Sequence, residues 1–157
     1  MPILKDCYLI LVDFDIKELQ KGTFGLTWGA TSVETTSAPN RFLLIIDSGT
    51  WMVQQVVPGK QVKLFEKRGR LQTKKLPQVR MAMMALHGQY FFYINDMNTP
   101  VFQCYQHELS LQHGKPQLVV DSEATSVATH LKIWQLDSRM HGSLSVEGLL
   151  QDEVGAY

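Results

Sequence analysis

One stretch, Arg80 to Tyr105 (RMAMMALHGQYFFYINDMNTPVFQCY), limits the folds open to this chain more than any other. His87-Gly88 and Asn95-Asp96 are turn pairs, and they divide the stretch into three short runs rich in apolar and aromatic residues. The middle run, Gln89 to Asn95, holds Tyr90, Phe91, Phe92 and Tyr93 in succession. Side chains alternate between faces along a strand, so Tyr90, Phe92 and Ile94 share one face and Phe91, Tyr93 and Asn95 the other. Apolar groups on both faces place this β-meander near the middle of a sheet.

The rest of the chain reads the same way. Between Cys7 and Glu18, Cys7, Leu9, Leu11, Phe14 and Ile16 alternate against Asp6, Asp13, Asp15 and Lys17, with a phase slip near Val12 that predicts a bulge. Thr23 to Thr31 (TFGLTWGAT) is a strand whose internal Gly25 and Gly29 predict close packing or strong curvature. After the polar loop Ser32 to Asn40, RFLLIID and TWMVQQVV form a hairpin about Ser48-Gly49. Gln61 to Glu66 is a shorter strand, Lys67-Arg68-Gly69-Arg70 a charged turn, and Leu71 to Pro77 a connector. Beyond the meander, Pro116 to Asp121 and Val127 to Asp137 are strands, and Gln151 to Tyr157 a frayed tail. No segment sustains a helical pattern over three turns, although Glu147 to Val154 has room for one or two turns. About nine to twelve short strands with turns every 8–12 residues predict an all-β sandwich or barrel.

At 157 residues, 45% of them apolar, one domain with a substantial core is expected, with a body from about residue 5 to 137 and an extension over 138–157. Fifteen basic residues balance fifteen acidic ones, which argues against a global pull toward nucleic acid or an anionic membrane. No apolar run is long enough for a transmembrane helix. Lys5 and Asp6 interrupt the N-terminal apolar residues, so no secretory signal is visible, and a cytoplasmic location is the expectation unless the chain is trimmed. Cys7 and Cys104 both sit in apolar strand patterns and read as buried free thiols; a bridge between them is the alternative.

The succession DFDIKEL, GTFGLTWG, RFLLIIDSGTWMVQQV, RMAMMALHGQYFFYIND and PQLVVDSEATSVATHLKIWQL resembles the concanavalin A-like jelly rolls, in particular laminin-G-like domains and related bacterial sugar-active domains. It covers nearly the whole chain and implies a two-sheet antiparallel jelly-roll sandwich. It also implies a ligand, since such domains bind carbohydrates or proteins and some hydrolyse glycans. In their usual Asn-Gly turn this chain has Asn95-Asp96.

Catalytic and metal signatures are thin. Asp13 and Asp15 share a strand face, but the E-x-D-x-x-E strand of a related hydrolase is missing, and a solvated edge accounts for the pair. His107 and His113 are six apart, not the four of a zinc helix. Oxygen ligands at Asn95, Asp96 and Asn98 make calcium a candidate, which turn chemistry also explains. No nucleophile elbow or phosphate loop occurs. The expectation is therefore a non-catalytic binding module for a carbohydrate or a protein partner, without cofactor. A glycan hydrolase and an assembly domain, with a homo-oligomer formed through its aromatic face, are the alternatives. The ligand site is expected on an aromatic-bearing sheet face carrying Trp51, Phe91, Tyr93 and Asn95, whose planar groups would stack on sugar rings. A secondary candidate is the basic run from Lys60 to Arg80, which holds eight of the fifteen cations and a single acid, Glu66. There Lys67, Arg68 and Arg70 either guard a sheet edge or meet an anionic partner.

Overall fold

The structure is a computed structural model that describes residues 7–15, 22–30, 40–56, 63–71, 78–86, 88–105, 115–121, 128–136 and 146. Ten strands run in chain order: β1 Tyr8–Asp15, β2 Thr23–Ala30, β3 Asn40–Ile45, β4 Thr50–Val56, β5 Lys63–Arg70, β6 Gln78–Leu86, β7 Gln89–Ile94, β8 Phe102–Tyr105, β9 Lys115–Asp121 and β10 Ala128–Gln135. They form two five-stranded antiparallel sheets. Sheet A has the order β10-β1-β6-β7-β8 and sheet B the order β5-β4-β3-β2-β9. This is the two-sheet jelly-roll sandwich that the resemblance implies, within the all-β class that the strand pattern predicts. No helix among the described residues is long and apolar enough to cross a membrane.

The meander lies in sheet A as β6, β7 and β8, and the expected alternation of β7 holds. Tyr90, Phe92 and Ile94 face the core between the sheets. Phe92 is its aromatic hub: its ring meets Phe42 of sheet B edge-on at 5.0 Å, lies 6.1 Å from Trp28, and stacks on Phe102 at 5.9 Å. Such ring pairs add about 0.5–1.5 kcal/mol beyond simple burial, so β7 helps tie the two sheets together.

Two sequence expectations change. The first is the bulge near Val12. β1 pairs in unbroken register with both neighbours from Tyr8 to Asp15. Its core side is Tyr8, Ile10, Val12 and Phe14, while Cys7, Leu9 and Leu11 point to the opposite face and are buried there in a second apolar cluster. With both faces apolar, no alternation remains to be read, and the apparent phase slip is the point where the outer face turns polar at Asp13. The second is the expected turn at Lys67–Arg70. These residues are the second half of β5, with Trp51 opposite Gly69 and Thr50 opposite Arg70. A Cβ on Gly69 would run into the Trp51 indole, so glycine here makes room for a tryptophan across the ladder rather than turning the chain. Gly25 of β2 has a similar role: a side chain there would strike the carbonyl oxygen of Phe42 on β3.

Both cysteines are free and buried, Cys7 in the outer cluster of sheet A and Cys104 in the core between the sheets. Across sheet A, Tyr8, Ala85, Tyr90 and Cys104 are aligned by register. Burial raises the pKa of the Tyr8 phenol well above its ordinary value of 10.0, and the neighbouring Tyr90 adds to the shift. Tyr90 is raised in the same direction by burial and by Cys104.

Candidate functional site

The two sheets differ on the faces they turn away from each other. On sheet A the outer face of β1, β6, β7 and β10 carries Leu9, Leu11, Met84, Tyr93 and Trp134. These are buried within the single chain, and Val146, well beyond the end of β10, is buried among them. Beyond this cluster, the same face ends in a bidentate pair. The Arg80 Nε and Nη2 donate to the two carboxylate oxygens of Asp13 at 2.7 and 3.0 Å. Asp13 is therefore held by a structural partner, which accounts for it without catalysis.

On sheet B the outer face is polar along one row. The antiparallel registers align Gln117 of β9, Thr27 of β2, Arg41 of β3, Gln54 of β4 and Glu66 of β5. Their neighbours along the strands (Leu26, Trp28, Phe42 and Val53) point into the core, so this row points outward. Its last three members, Arg41, Gln54 and Glu66, are joined. Arg41 Nη1 donates to Gln54 Oε1 at 3.5 Å, and Gln54 Nε2 donates to Glu66 Oε1 at 3.0 Å. From the next row of the same face, Arg68 Nε donates to Glu66 Oε2 at 3.1 Å. The row deepens from exposed Arg68, through half-buried Glu66, to Gln54, which is 5% exposed. Leu43 and Met52, paired across β3 and β4, make an apolar floor beside it.

Such a row is chemically versatile. Each side chain is oriented by its neighbour, so little rotamer freedom is left to lose on binding. Arg41 retains N–H groups, the amide of Gln54 carries both a donor and an acceptor, and Glu66 brings a carboxylate to the row. Among the described side chains that the strands of this face point outward, Glu66 is the only carboxylate, and it is already engaged by Gln54 and Arg68. Glycoside hydrolysis by the usual route needs a pair of carboxyl groups about 5–10 Å apart.

The residues expected from sequence are divided among three places. Trp51 points into the core between the sheets and stacks on Phe102 at 6.2 Å. Tyr93 and Phe91 point to the outer side of sheet A, where Tyr93 is buried and its phenol pKa raised by that burial, and Phe91 is half-buried. The structure therefore does not bring Trp51 to Phe91 and Tyr93, and the chain itself occupies the aromatic face. Asn95 turns the chain after β7 with φ 62°; its backbone N–H donates to Arg80 O and its Oδ1 accepts from Arg80 N. Asp96 Oδ1 accepts from the backbone N–H of Asn98 at 2.9 Å. These turn oxygens have backbone donors, and no group of three or more His, Cys, Asp or Glu converges among the described residues. Lys67, Arg68 and Arg70 lie on β5, which is an edge strand of sheet B. Sequence reasoning missed Arg41, Gln54 and Glu66 as a unit. A signal was present in the polar Gln54-Gln55 interrupting an apolar strand.

A cavity of about 640 Å³ opens at the end of the sandwich where β4, β5 and the β7–β8 loop meet. Trp51, Gly69, Arg70 and Leu71 line one side, and Ile94, Asn95, Asp96, Thr99, Pro100 and Val101 the other. Two residues expected in a ligand site, Trp51 and Asn95, thus share this cavity with Arg70 of the basic run.

No protein-family model matches the sequence, and no curated protein matches it. Solved structures do. Sheep galectin-11, in complex with glycerol, superposes with a TM-score of 0.52 at 15% identity over 82% of this chain and 93% of that one. The Caenorhabditis elegans galectin LEC-6 gives 0.52 at 16% identity, covering 82% and 81% of the two chains. CG-16, a homodimeric agglutinin from chicken liver, gives 0.53 at 12% identity over 82% and 95%. At these identities the likeness establishes the fold, a concanavalin A-like jelly roll.

Proposed function

We propose that this chain is a carbohydrate-binding module whose ligand lies across the outer face of sheet B, over Arg41, Gln54, Glu66 and Arg68. The observation that carries this reading is the hydrogen-bonded row itself, which crosses three adjacent strands on the outward side of the sheet. Sugar hydroxyls donate and accept at once. They fit a surface where guanidinium, amide and carboxylate groups alternate within hydrogen-bond reach. Leu43 and Met52, largely buried beside the row, give it an apolar floor. The galectins and the agglutinin of the same fold support the choice of ligand class.

A glycan array on the full chain, followed by calorimetric titration of the best ligand, tests the proposal. Arg41→Ala and Glu66→Gln should each weaken binding at least about tenfold, because each removes a charge-assisted hydrogen bond worth about 1.5–3 kcal/mol. Their circular dichroism should match that of the parent. If no glycan binds, or if both variants bind as the parent does, the reading fails.

A further inference from the structure

We infer that the cavity at the end of the sandwich is a second binding site, for a small zwitterion of amino-acid type. Its carboxylate would meet Arg70, its ammonium Asp96, and its side group the Trp51 indole. This site does not rest on the carbohydrate reading, although Arg70 follows Glu66 and Arg68 along the same face of β5. Its volume, about 640 Å³, lies within the ~300–1,000 Å³ typical of small-molecule pockets.

The walls are built on tied backbone. Leu71 N–H donates to Gly49 O at 2.8 Å beside Arg70, and Val101 N–H donates to Phe92 O at 2.7 Å across the loop. Asn95 is clamped to Arg80 by two hydrogen bonds, and Asp96 closes its own turn onto Asn98. The indole of Trp51 is trapped between Gly69, which leaves no room for a side chain, and Phe102. A pocket framed in this way loses little freedom when it is filled.

Its polar groups are of both signs. Arg70 of β5 and Asp96 of the β7–β8 loop line the same cavity, and no ion pair joins them. The Asn95 Nδ2 is buried and without a hydrogen-bond partner in that wall. A guanidinium and an amide N–H suit a carboxylate, and an aspartate facing them suits an ammonium on the same molecule. A dianion would be repelled by Asp96 and a dication by Arg70. Trp51, Leu71, Ile94 and Val101 leave the remaining surface apolar, so a zwitterion with a hydrophobic side group fits best.

The test is a nuclear magnetic resonance titration of the full chain with three matched probes: L-phenylalanine, 3-phenylpropanoate, which lacks the ammonium, and 2-phenylethylamine, which lacks the carboxylate. The Trp51 indole N–H resonance should shift with phenylalanine, and each truncated probe should bind about tenfold more weakly. Arg70→Gln should abolish the gap between phenylalanine and 2-phenylethylamine. Asp96→Asn keeps the acceptor for Asn98 and should abolish the gap between phenylalanine and 3-phenylpropanoate. Glu66→Gln, on the outer face of sheet B, should change neither gap. The proposal is overturned if none of the probes moves the Trp51 resonance, if all three bind alike, or if the two gaps survive their variants.

Discussion

The outer faces of the two sheets have opposite characters within one sandwich. Sheet A turns leucines, a methionine, a tyrosine and a tryptophan away from the central core and buries them a second time, with Val146 among them. Sheet B turns a row of arginine, glutamine and glutamate outward and links it by hydrogen bonds. A sheet dry on both faces is devoted to stability. A sheet dry on one face can expose fixed polar groups at little cost to the fold, because the apolar face carries the burial. The difference sets a second buried apolar layer on sheet A against a hydrogen-bonded polar row on sheet B, where the proposed ligand would lie.

The sharpest way to break this contrast is a cavity on the outer face of sheet A. Leu9 is fully buried there, so Leu9→Ala should cost about 3 kcal/mol in urea unfolding, as for a core leucine. A loss below about 1 kcal/mol would make that face ordinary surface and remove half of the comparison.

Alkaline pH comes next in size. Tyr8, Tyr90 and Tyr93 all belong to sheet A, and all have phenol pKa values raised above 10.0, chiefly by burial. A group that resists ionisation in the fold ionises more readily when unfolded. Its contribution is fully present below pH 10 and is lost as the pH rises from there toward the folded value. For Tyr8 and Tyr90 the loss is about 1.4 kcal/mol per pH unit each. Denaturant midpoints measured on either side of pH 10 should fall steeply, and Tyr90→Phe should flatten that fall.

Smaller effects are expected where each outer face meets water. Asp13→Asn should cost at most about 1 kcal/mol by thermal unfolding, since its bidentate partner Arg80 is partly exposed. On the opposite sheet, Arg68→Ala should change stability by no more than about 0.5 kcal/mol, while the glycan affinity measured beside it falls. A large stability loss at Arg68 would mean that the polar row is there to hold the sheet rather than to bind.

Much of this protein is legible in its sequence. Period-two patterns and paired turn residues place β2, β3, β4, β6, β7 and β9 within about one or two residues of their observed bounds. The alternation in Tyr90, Phe91, Phe92 and Tyr93 divides core face from outer face correctly, because a strand offers only two directions. The crowding of Lys67, Arg68 and Arg70, which the sequence pattern read as a turn, falls on an edge strand, as one of its two readings expected. Local pattern carries these features because each depends on residues close together in the chain.

Only the tertiary structure decided the rest. Whether an apolar face is the core or a second buried layer depends on what packs against it. For β1 the answer lies with β6, β10 and Val146, all distant in sequence. Trp51 lies in the core rather than on an outer sheet face because Gly69, on the neighbouring strand, vacates the space its indole fills. Arg41, Gln54 and Glu66 become one hydrogen-bonded row only through the registers of β3, β4 and β5. A shift of one residue in any of these ladders would turn a member of the row to the other face and break it. The chain's residues specify the two directions along each strand, and the packing of strand against strand determines what each direction meets.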